Sequence, residues 1–458
     1  MTRRAGVLDT VRVAGEVFVP TLAGGVLKRR PRVMALADRL QLDRVAVRTL
    51  RRLRARYGTG PVLLRVPGRR IAVLLDPDDV SRVLKATPAP FSPAAWEKRK
   101  ALGHFQPHAV LATPMPERAP RRRYNEAVLE TSHAEHSLAA QIRVLVREET
   151  RQLLADTTEL DWSGFQRAWW RIVRRLVLGD SARDDTEITD ALAALRLRGN
   201  WAFLAPRARQ RRERFRERLD AYLHRAEPGS LAATVARHPV RNTENTENTE
   251  NAENTENGVD PHGQVPHWLF AFDAAGMVTL RTLALLATHP EQAEAARKEL
   301  SGGERTWPFL RACVLDTVRL WPTTPVVLRE STTATSWQGT QLPPNTLFVV
   351  FAPYFHRESD LVPFADRFAP EAWLDGRARD FPALVPFSEG PGKCPGENLV
   401  LLVTSTLLAE LLREGEYRLL APRTLRSRTH AHDRLPATVD NFGLRFAFEP
   451  HEARLSSP

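Results

Sequence analysis

The pattern of apolar and polar positions predicts a chain built mainly from helices. Residues 40–57 repeat apolar side chains at helical spacing up to Gly58, which predicts an amphipathic helix ended by that glycine. The long middle section keeps the same period. Its clearest example ends at Gly179 and places six large apolar residues on one helix face: Phe165, Trp169, Ile172, Val173, Leu176 and Val177.

A long apolar segment at residues 267–289 predicts a buried central helix, about 33 Å long at 1.5 Å per residue. It contains only two charged residues, Asp273 and Arg281. A helix that is apolar nearly all round is typically buried on all sides. Asp273 therefore needs a partner or a chemical role, because an unpaired charge inside a protein is costly.

Short runs of branched apolar residues predict small sheets near both ends of the chain. Residues 61–67 and 70–75 flank a glycine turn and predict a hairpin. Towards the C-terminus, strands are predicted at 326–329 and 347–351, with a final hairpin near 442–448. A large helical body with small sheets at both ends predicts a mainly α fold of the α+β class.

One segment interrupts this pattern. Residues 242–257 read NTENTENTENAENTEN, which offers no apolar face to bury, so we expect a disordered loop at 241–258. We expect residues 1–39 to be an N-terminal extension and residues 40–458 to form a single domain that carries this loop.

Composition and charge exclude several classes of protein. With 43% hydrophobic and 26% charged residues the chain is globular, and two cysteines are too few for a disulfide framework. The net charge is +12, but the arginine-rich stretch at 207–225 also contains acidic residues and is typical of a solvated helix face with i,i+4 ion pairs, so we expect no nucleic-acid partner. No uninterrupted apolar run reaches about 18 residues, so we expect no transmembrane anchor and a cytoplasmic protein. Loose contact with a membrane surface stays open.

The strongest chemical signature is a glycine loop with one cysteine. Residues 386–411 read PFSEGPGKCPGENLVLLVTSTLLAEL, so Cys394 lies in a loop that leads directly into a helix. Glycines let a backbone approach a flat ligand closely. Free N–H groups at a helix start stabilise a thiolate, so we expect a depressed pKa for Cys394 and a role as metal ligand or nucleophile. Cys313 is expected to be a buried core thiol.

The string Phe387-x-x-Gly390-x-x-x-Cys394-x-Gly396 resembles the haem-thiolate loop of the cytochrome P450 family. Further segments resemble the same family in the same order, over about residues 40–450. These are a C-helix-like segment at 121–128, an E-x-x-R-like segment at 316–319, Arg329, and a PERF-like segment at 365–368. The resemblance implies the cytochrome P450 fold, with haem b between the long central helix and the helix after the cysteine loop.

The resemblance implies a role for each matching residue. Cys394 would be the axial thiolate of the haem iron. Asp316, Arg319 and Arg367 would form a buried salt-bridged triad, in which Asp316 replaces the family's glutamate. The remaining residues expected to bind the cofactor are Phe387, Gly390 and Gly396 in the loop, and Arg122 and Arg329 at the two propionates.

Three departures from the family bear on the chemistry. Gly392 stands where the family usually has His or Arg, so one propionate contact is missing or supplied elsewhere. Arg118 stands where the family has the C-helix tryptophan. Counted back from Pro290, the acid–threonine pair that delivers protons to bound oxygen falls on Asp273-Ala274, which lacks the alcohol. A second register places Thr279 at the alcohol position with Val at the acid position. We favour the first, because the spacing to the next helix is normally fixed.

The resemblance implies a soluble bacterial-type monooxygenase that inserts one oxygen atom from O2 into an apolar small molecule. Electrons would come from a ferredoxin and a ferredoxin reductase, with NAD(P)H as the ultimate donor. Two alternatives stay open: a peroxide-driven or non-hydroxylating haem-thiolate enzyme, favoured by Ala274, and a catalytically silent haem-binding partner protein. Four aromatic residues predict an apolar pocket for the substrate: Trp96, Phe105, Trp201 and Phe203.

Overall fold

The computed structural model describes residues 3–238, 259–303, 306–426 and 434–451; the Asn-Thr-Glu repeat lies outside these ranges. Helices dominate it, as predicted. The α-helices are α1 (Val7–Val13), α2 (Val19–Gly24), α3 (Pro31–Leu40), α4 (Leu42–Tyr57), α5 (Pro77–Lys85), α6 (Trp96–Leu102), α7 (Arg118–Val128), α8 (Ala139–Leu154), α9 (Trp162–Leu178), α10 (Thr186–Gly199), α11 (Arg209–Arg225), α12 (Leu231–Arg237), α13 (Pro261–Leu286), α14 (Pro290–Ser301), α15 (Pro308–Leu320), α16 (Ala352–Arg357), α17 (Glu371–Leu374), α18 (Glu397–Glu414) and α19 (Arg423–Arg426).

The strands are short and form three small sheets. They are β1 (Arg3–Arg4), β2 (Val62–Leu64), β3 (Ile71–Val73), β4 (Phe91–Ser92), β5 (Glu159–Asp161), β6 (Val326–Ser331), β7 (Thr335–Trp337), β8 (Thr340–Leu342), β9 (Leu347–Phe351), β10 (Gly415–Ala421) and β11 (Arg445–Pro450). The largest sheet has the order β1-β2-β3-β9-β6-β4, and the others are β10-β11-β5 and β7-β8.

The main core lies among α8, α9, α13, α15 and α18. The predicted apolar face of α9 is confirmed, since Phe165, Trp169 and Ile172 are all buried there. The central helix α13 packs against α9, α15 and α18 and begins at Pro261, six residues before the predicted start. Its first turn is capped by Asp260, whose carboxylate accepts a hydrogen bond from the Gly263 backbone N–H at 3.0 Å.

The sheets confirm one predicted hairpin and correct another. β2 and β3 pair antiparallel as predicted, with Val62 opposite Val73. The short hairpin predicted near residues 442–448 is wrong, because β11 begins at Arg445 and pairs antiparallel with the preceding strand β10, more than 20 residues earlier in the chain, and with β5. Short-range turn signals do not report such long-range partners.

The N-terminal residues pack against the rest of the described chain. β1 pairs in parallel with β2, so Arg3 and Arg4 extend the largest sheet. From Val7 to Gly24 the backbone is helical throughout, with a π-helical turn at Ala14–Phe18 between α1 and α2. Val13 and Val17, on the inner side of this run, are buried in the core beneath the largest sheet.

One described helix, α13, is long and apolar enough to cross a membrane by length and composition alone. In this fold, 83% of its most apolar 18-residue window is buried inside the protein. It is therefore packed as a core helix, which agrees with the prediction from its nearly uniform apolar character.

Candidate functional site

Cys394 lies at the end of a tightly folded loop, three residues before α18 begins at Glu397. The Cys394 backbone N–H donates to the carbonyl oxygen of Phe387 at 2.9 Å, which closes the loop. Gly390 has a φ of +64°, and a Cβ there would lie 2.5 Å from the carbonyl oxygen of Leu84. Only glycine satisfies both conditions, so this position fixes how closely the loop approaches the end of α5.

The protein part of the site does not depress the pKa of Cys394, contrary to the expectation from the helix start. Burial raises the pKa of the Cys394 thiol to about 11, although the Gly396 backbone N–H and the charges of Arg122 and Lys393 act to lower it. A thiolate at this position therefore needs a stronger positive charge beside the sulfur than the chain itself provides. Cys313 is buried in the core, as predicted.

After its first turn, the central helix α13 is buried except along one stripe of its surface. From Gln264 to Leu286, the partly exposed residues are at positions i, i+3, i+4 and i+7: His267, Phe270, Ala271 and Ala274. This spacing places them on one helix face. A partly exposed, largely apolar stripe on a helix that is otherwise buried is a surface that can contact a flat cofactor or an apolar substrate.

The two candidate registers for the acid–threonine motif differ sharply in their surroundings. Ala274 belongs to the partly exposed stripe. Thr279 is 0% exposed, and its hydroxyl donates to the carbonyl oxygen of Ala275 at 2.9 Å within the same helix. Thr279 is therefore buried with a structural partner, whereas Ala274 is partly exposed.

Asp273 has the partner that its burial demands. Its Oδ2 lies 2.5 Å from a guanidinium nitrogen of Arg196 on α10, and its Oδ1 lies 3.6 Å from the Lys28 ammonium. Burial acts to raise the pKa of Asp273, but the charges of Arg196 and Lys28 outweigh it and hold the pKa below its usual value. Sequence analysis missed both partners, because α10 and the N-terminal segment carry no signal that points to α13.

Arginines converge on the cysteine loop from two directions. Arg122 on α7 donates to the carbonyl oxygen of Lys393 at 2.5 Å, next to Cys394. Arg329 on β6 donates to the Ser388 hydroxyl at 3.2 Å and to the Thr87 hydroxyl at 3.0 Å. The structure thus brings both predicted propionate arginines to the loop that carries the cysteine.

This group contains more cations than the local carboxylates can pair. Burial, and then the charge of Arg118, lower the pKa of Arg329 to about 10. Burial, and then the charge of Arg122, lower the pKa of Arg118 to about 10 as well. Within the described residues, the ion pair recorded for Arg122 is with Glu126 on its own helix. Buried guanidinium groups that repel one another are suited to an anionic ligand with two carboxylates, so this donor set fits the propionates of haem.

Gly392 stands where the family usually has His or Arg, and the side chain of Arg329 lies directly beside it. A Cβ on Gly392 would lie 2.6 Å from a guanidinium nitrogen of Arg329 and 3.2 Å from the Thr87 methyl group. The guanidinium of Arg329 therefore occupies the space beside position 392. A side chain at position 392 would therefore compete with Arg329 for this space, and which group takes the place of the family's His or Arg stays a prediction.

The predicted triad of Asp316, Arg319 and Arg367 is correct for the first two residues only. Asp316 and Arg319 are 0% exposed and form a bidentate ion pair, with N–O distances of 2.6 and 3.1 Å. The placement of Arg367 is wrong. Its guanidinium is exposed and donates to the carbonyl oxygen of Pro363 at 3.3 Å, while its own carbonyl oxygen accepts from Arg319 at 2.6 Å.

Two other donors complete the shell of the Asp316 carboxylate. The Trp373 indole N–H donates to Oδ1 at 3.0 Å, and the Ala369 backbone N–H donates to Oδ2 at 2.8 Å. Both carboxylate oxygens are thus satisfied without a second guanidinium. Residues 370–373 read PEAW, which matches the PERF pattern in its first two letters and has Ala372 in place of the arginine. Trp373, the last residue of this segment, is the one that contacts Asp316.

The four aromatic residues predicted to line a substrate pocket separate into two groups. Phe105 is buried and lies edge-on to Phe270 of the α13 stripe, with ring centroids 5.8 Å apart. Trp96, Trp201 and Phe203 are 43%, 52% and 59% exposed, so the protein does not enclose them and their place in a substrate pocket stays a prediction.

Parts of this chain are similar in sequence to known proteins. The family model described as Cytochrome P450 matches residues 272–430. The cyclooctat-9-en-7-ol 5-monooxygenase of Streptomyces melanosporofaciens is 30% identical over 180 residues, which are 36% of this chain and 39% of that protein. The putative cytochrome P450 137 of Mycobacterium tuberculosis is 32% identical over 143 residues, 30% of this chain and 29% of the relative. The aligned segments thus span less than two fifths of these relatives.

A solved structure extends the similarity of fold to nearly the whole chain. The retinoic acid bound cyanobacterial CYP120A1 has a TM-score of 0.68 and covers 87% of this chain and 93% of its own, at 18% identity. The helical body with small sheets is therefore the cytochrome P450 fold, as predicted. Taken together, the chain is similar to the cytochrome P450 family in sequence over residues 272–430 and in fold over most of its length.

Proposed function

We propose that the chain is a haem-thiolate monooxygenase that inserts one oxygen atom from O2 into an apolar small-molecule substrate. The observation that carries this proposal is the convergence on one loop. Cys394 lies beside the two backbone positions, 392 and 393, that the guanidinium groups of Arg329 and Arg122 approach. A thiol and two guanidiniums in this arrangement match a metal ligand and two carboxylate anchors.

In the proposed enzyme, the residues of this loop hold haem b. Cys394 would supply the thiolate ligand of the iron, and Arg122 and Arg329, with Arg118 as a neighbouring cation, would bind the propionates. Phe387 closes the loop through its carbonyl oxygen. When bound, haem supplies the activation of oxygen, which no side chain of the protein can perform. Gly390 would act through the path of the loop, because its positive φ and its close approach to Leu84 leave no room for a side chain, and Gly396 would follow the ligand as the residue just before α18.

The substrate side is formed by the stripe on α13. Phe270, Ala271 and Ala274 offer an apolar surface that orients a substrate by shape and excludes water. Phe105 packs on Phe270 from the segment after α6 and holds that ring in place. We therefore expect a substrate that is largely apolar, and one whose reacting carbon approaches close to Ala274.

Proton delivery must differ from that of an acid–threonine pair. Asp273 is held ionised by Arg196 and Lys28, and the neighbouring residue Ala274 has no hydroxyl to pass a proton onward. A proton therefore reaches the site through ordered water, or through a hydroxyl group of the substrate, when the ion pair of Asp273 opens. Asp273 Oδ2 is the atom that would accept and release it.

We further propose that the protein is cytoplasmic and takes its electrons from a ferredoxin and a ferredoxin reductase, with NAD(P)H as the ultimate donor. The net charge of +12 suits the docking of an acidic electron carrier. The second candidate, a peroxide-driven enzyme, is favoured by one observation only, the methyl group of Ala274 in place of an alcohol.

The source of the inserted oxygen atom separates the two candidates. The protein with ferredoxin, reductase and NADPH is compared with the protein and hydrogen peroxide alone, over a panel of apolar compounds that shift its haem spectrum. The proposal predicts products that carry one atom from labelled O2 and need the reductase. Products formed equally well from labelled peroxide without the reductase would favour the alternative. Ala274→Thr, which restores the alcohol, should raise the yield from O2 and leave a peroxide reaction unimproved.

A further inference from the structure

Polar side chains lie at the beginning of the partly exposed stripe on α13. His267 is the first residue of that stripe, and its ring lies edge-on to Phe270 with the ring centroids 5.7 Å apart. Gln106, in the loop after α6, is buried and places its side-chain amide nitrogen 3.0 Å from Nδ1 of His267. An amide nitrogen is a donor only, so Nδ1 accepts this hydrogen bond and the proton of the neutral ring is on Nε2.

The imidazole of His267 is therefore a neutral hydrogen-bond donor. Burial, and then the charge of Lys98, lower the pKa of His267 to about 4, so the ring is uncharged at neutral pH. Among the residues that the structure describes, none accepts a hydrogen bond from Nε2. A donor on a partly exposed side chain beside an apolar surface is available to an acceptor group of a ligand.

Lys98 on α6 supplies a second donor near His267. Its ammonium donates to the Leu328 carbonyl oxygen at 3.1 Å, which leaves two of its three protons. The adjacent carboxylate, Glu97, instead pairs with Arg69 through N–O distances of 2.8 and 3.1 Å. In the described part of the chain, no carboxylate forms an ion pair with Lys98.

Lys98 faces an enclosed space rather than open solvent. Burial, and then the charges of Arg329 and Arg118, lower the pKa of the Lys98 ammonium well below its usual value, although Glu97 acts to raise it. The side chain nevertheless keeps part of its surface exposed. A group that is strongly desolvated and still partly exposed borders an internal space. A carboxylate bound in that space would oppose the loss of the proton, because an opposite charge favours the charged form.

The propionates of haem do not require this lysine. In the function proposed above, Arg122 and Arg329 each bind one propionate, with Arg118 as a neighbouring cation. Lys98 is thus in excess of the two carboxylates of the cofactor, and its charge acts on His267, which belongs to the substrate side. Two donors on that side, one of them cationic, match a carboxylate better than an uncharged polar group.

We propose that the substrate is a largely apolar carboxylic acid, with its carboxylate bound by the Lys98 ammonium and by Nε2–H of His267. This inference rests on the proposed function and names the class of compound that the same site accepts. Ala274 follows His267 by seven residues, which is about 10 Å along the helix axis at 1.5 Å per residue. An acid that lies along the stripe therefore presents a carbon remote from its carboxylate to the position beside Ala274.

The test is isothermal titration calorimetry of the full-length holoprotein with two apolar acids, dodecanoic acid and abietic acid, and with the methyl ester of each. We expect an acid to bind at least about tenfold more tightly than its ester, because the ester lacks the charge that pairs with Lys98. Lys98→Met should remove most of this preference, and Lys98→Arg, which keeps the charge, should retain most of it. His267→Phe should weaken the binding of the acid several-fold, because it removes the second donor.

Lys100→Met is the matched control, because it removes an exposed lysine from the same helix. It should bind acids and esters like the unaltered protein, and every variant should keep the unaltered ratio of Soret to protein absorbance. The proposal is overturned if neither acid binds or if the esters bind as tightly as the acids. It is also overturned if Lys98→Met loses haem in parallel with acid binding, since Lys98 would then hold the cofactor.

The failure of this inference is distinguishable from the failure of the proposed function. If the acids have no advantage over the esters, the reduced protein still shows the haem-thiolate absorbance band under carbon monoxide. A protein without that band would contradict the proposed function itself.

Discussion

The guanidinium of Arg196 and the carboxylate of Asp273 form an ion pair inside the helical body, 2.5 Å apart and with each side chain 3% exposed. Arg196 also lies over the Phe270 ring, at 4.7 Å from its centroid, and donates to the Leu27 carbonyl oxygen at 3.0 Å. One residue of α10 thus joins the central helix to the N-terminal segment. It also fixes the charge of the acid that we propose as the proton donor.

Arg196→Leu should lower the free energy of unfolding by about 3–5 kcal/mol, because it leaves a buried carboxylate with only the more distant Lys28. Urea unfolding monitored by circular dichroism measures the change. The double variant Arg196→Leu/Asp273→Leu should recover most of the loss, since it removes both charges. An equal loss in the single and double variants would show that Arg196 acts through packing alone.

The same pair makes stability depend on pH in a defined direction. Because the folded-state pKa of Asp273 lies below its usual value, its contribution is fully present above the unfolded-state pKa of about 4 and is lost as pH falls through the folded-state pKa. In Asp273→Asn this part of the acid dependence should be absent. Unfolding free energies measured from neutral to acid pH should therefore fall less steeply for the variant; identical slopes would contradict the ion pair.

The shell of Asp316 provides a direct comparison between two residues of the meander segment. Trp373→Phe removes a donor to a buried carboxylate and should cost about 1–3 kcal/mol of unfolding free energy. Arg367→Ala should stay within about 0.5 kcal/mol, because the exposed guanidinium bonds only a nearby carbonyl oxygen and the backbone carbonyl that Arg319 uses is retained. A large loss for Arg367→Ala with none for Trp373→Phe would restore the triad that the sequence suggested.

Two glycines on either side of Cys394 should respond differently to a methyl group. In Gly392→Ala the new Cβ meets the Arg329 guanidinium at 2.6 Å, which displaces a proposed propionate anchor. In Gly396→Ala the nearest atom is 3.7 Å away, an ordinary contact. We expect Gly392→Ala to retain several-fold less haem after gel filtration, measured as the ratio of Soret to protein absorbance, and Gly396→Ala to retain the normal amount. Equal retention would remove the case for Arg329 as an anchor.

The parts of the fold that the sequence predicted are those set by local pattern. The period of α9, the uniform apolar character of α13 and the glycines around Cys394 all act over a few residues, and each led to the correct element. Asp273 was correctly expected to need a partner. Its partners could not be predicted, because both are distant in the sequence. Arg196 is 77 residues away, and Lys28 lies in a segment that is held beside the end of α10 by a hydrogen bond from the Asn200 side chain to the Lys28 carbonyl oxygen.

The errors arose where one pattern admits two placements. Residues 365–368 and 370–373 both resemble the same short motif, and only packing against α15 shows that Trp373, not Arg367, reaches Asp316. Trp201 and Phe203 are more than half exposed, and composition alone does not distinguish the mouth of a pocket from an outer face. The pKa of Cys394 was predicted from the helix start alone, and burial of the thiol has the larger effect.

The central claim is that Cys394 holds a haem iron through its thiolate, and the absorbance spectrum of the dithionite-reduced protein under carbon monoxide tests it most directly. The account predicts the red-shifted Soret band for which the family is named. The band should be lost in Cys394→Ser and kept in Cys313→Ser, which changes the other cysteine of the chain, a buried core thiol. A protein without haem, a band typical of histidine ligation, or a band that survives in Cys394→Ser would contradict it.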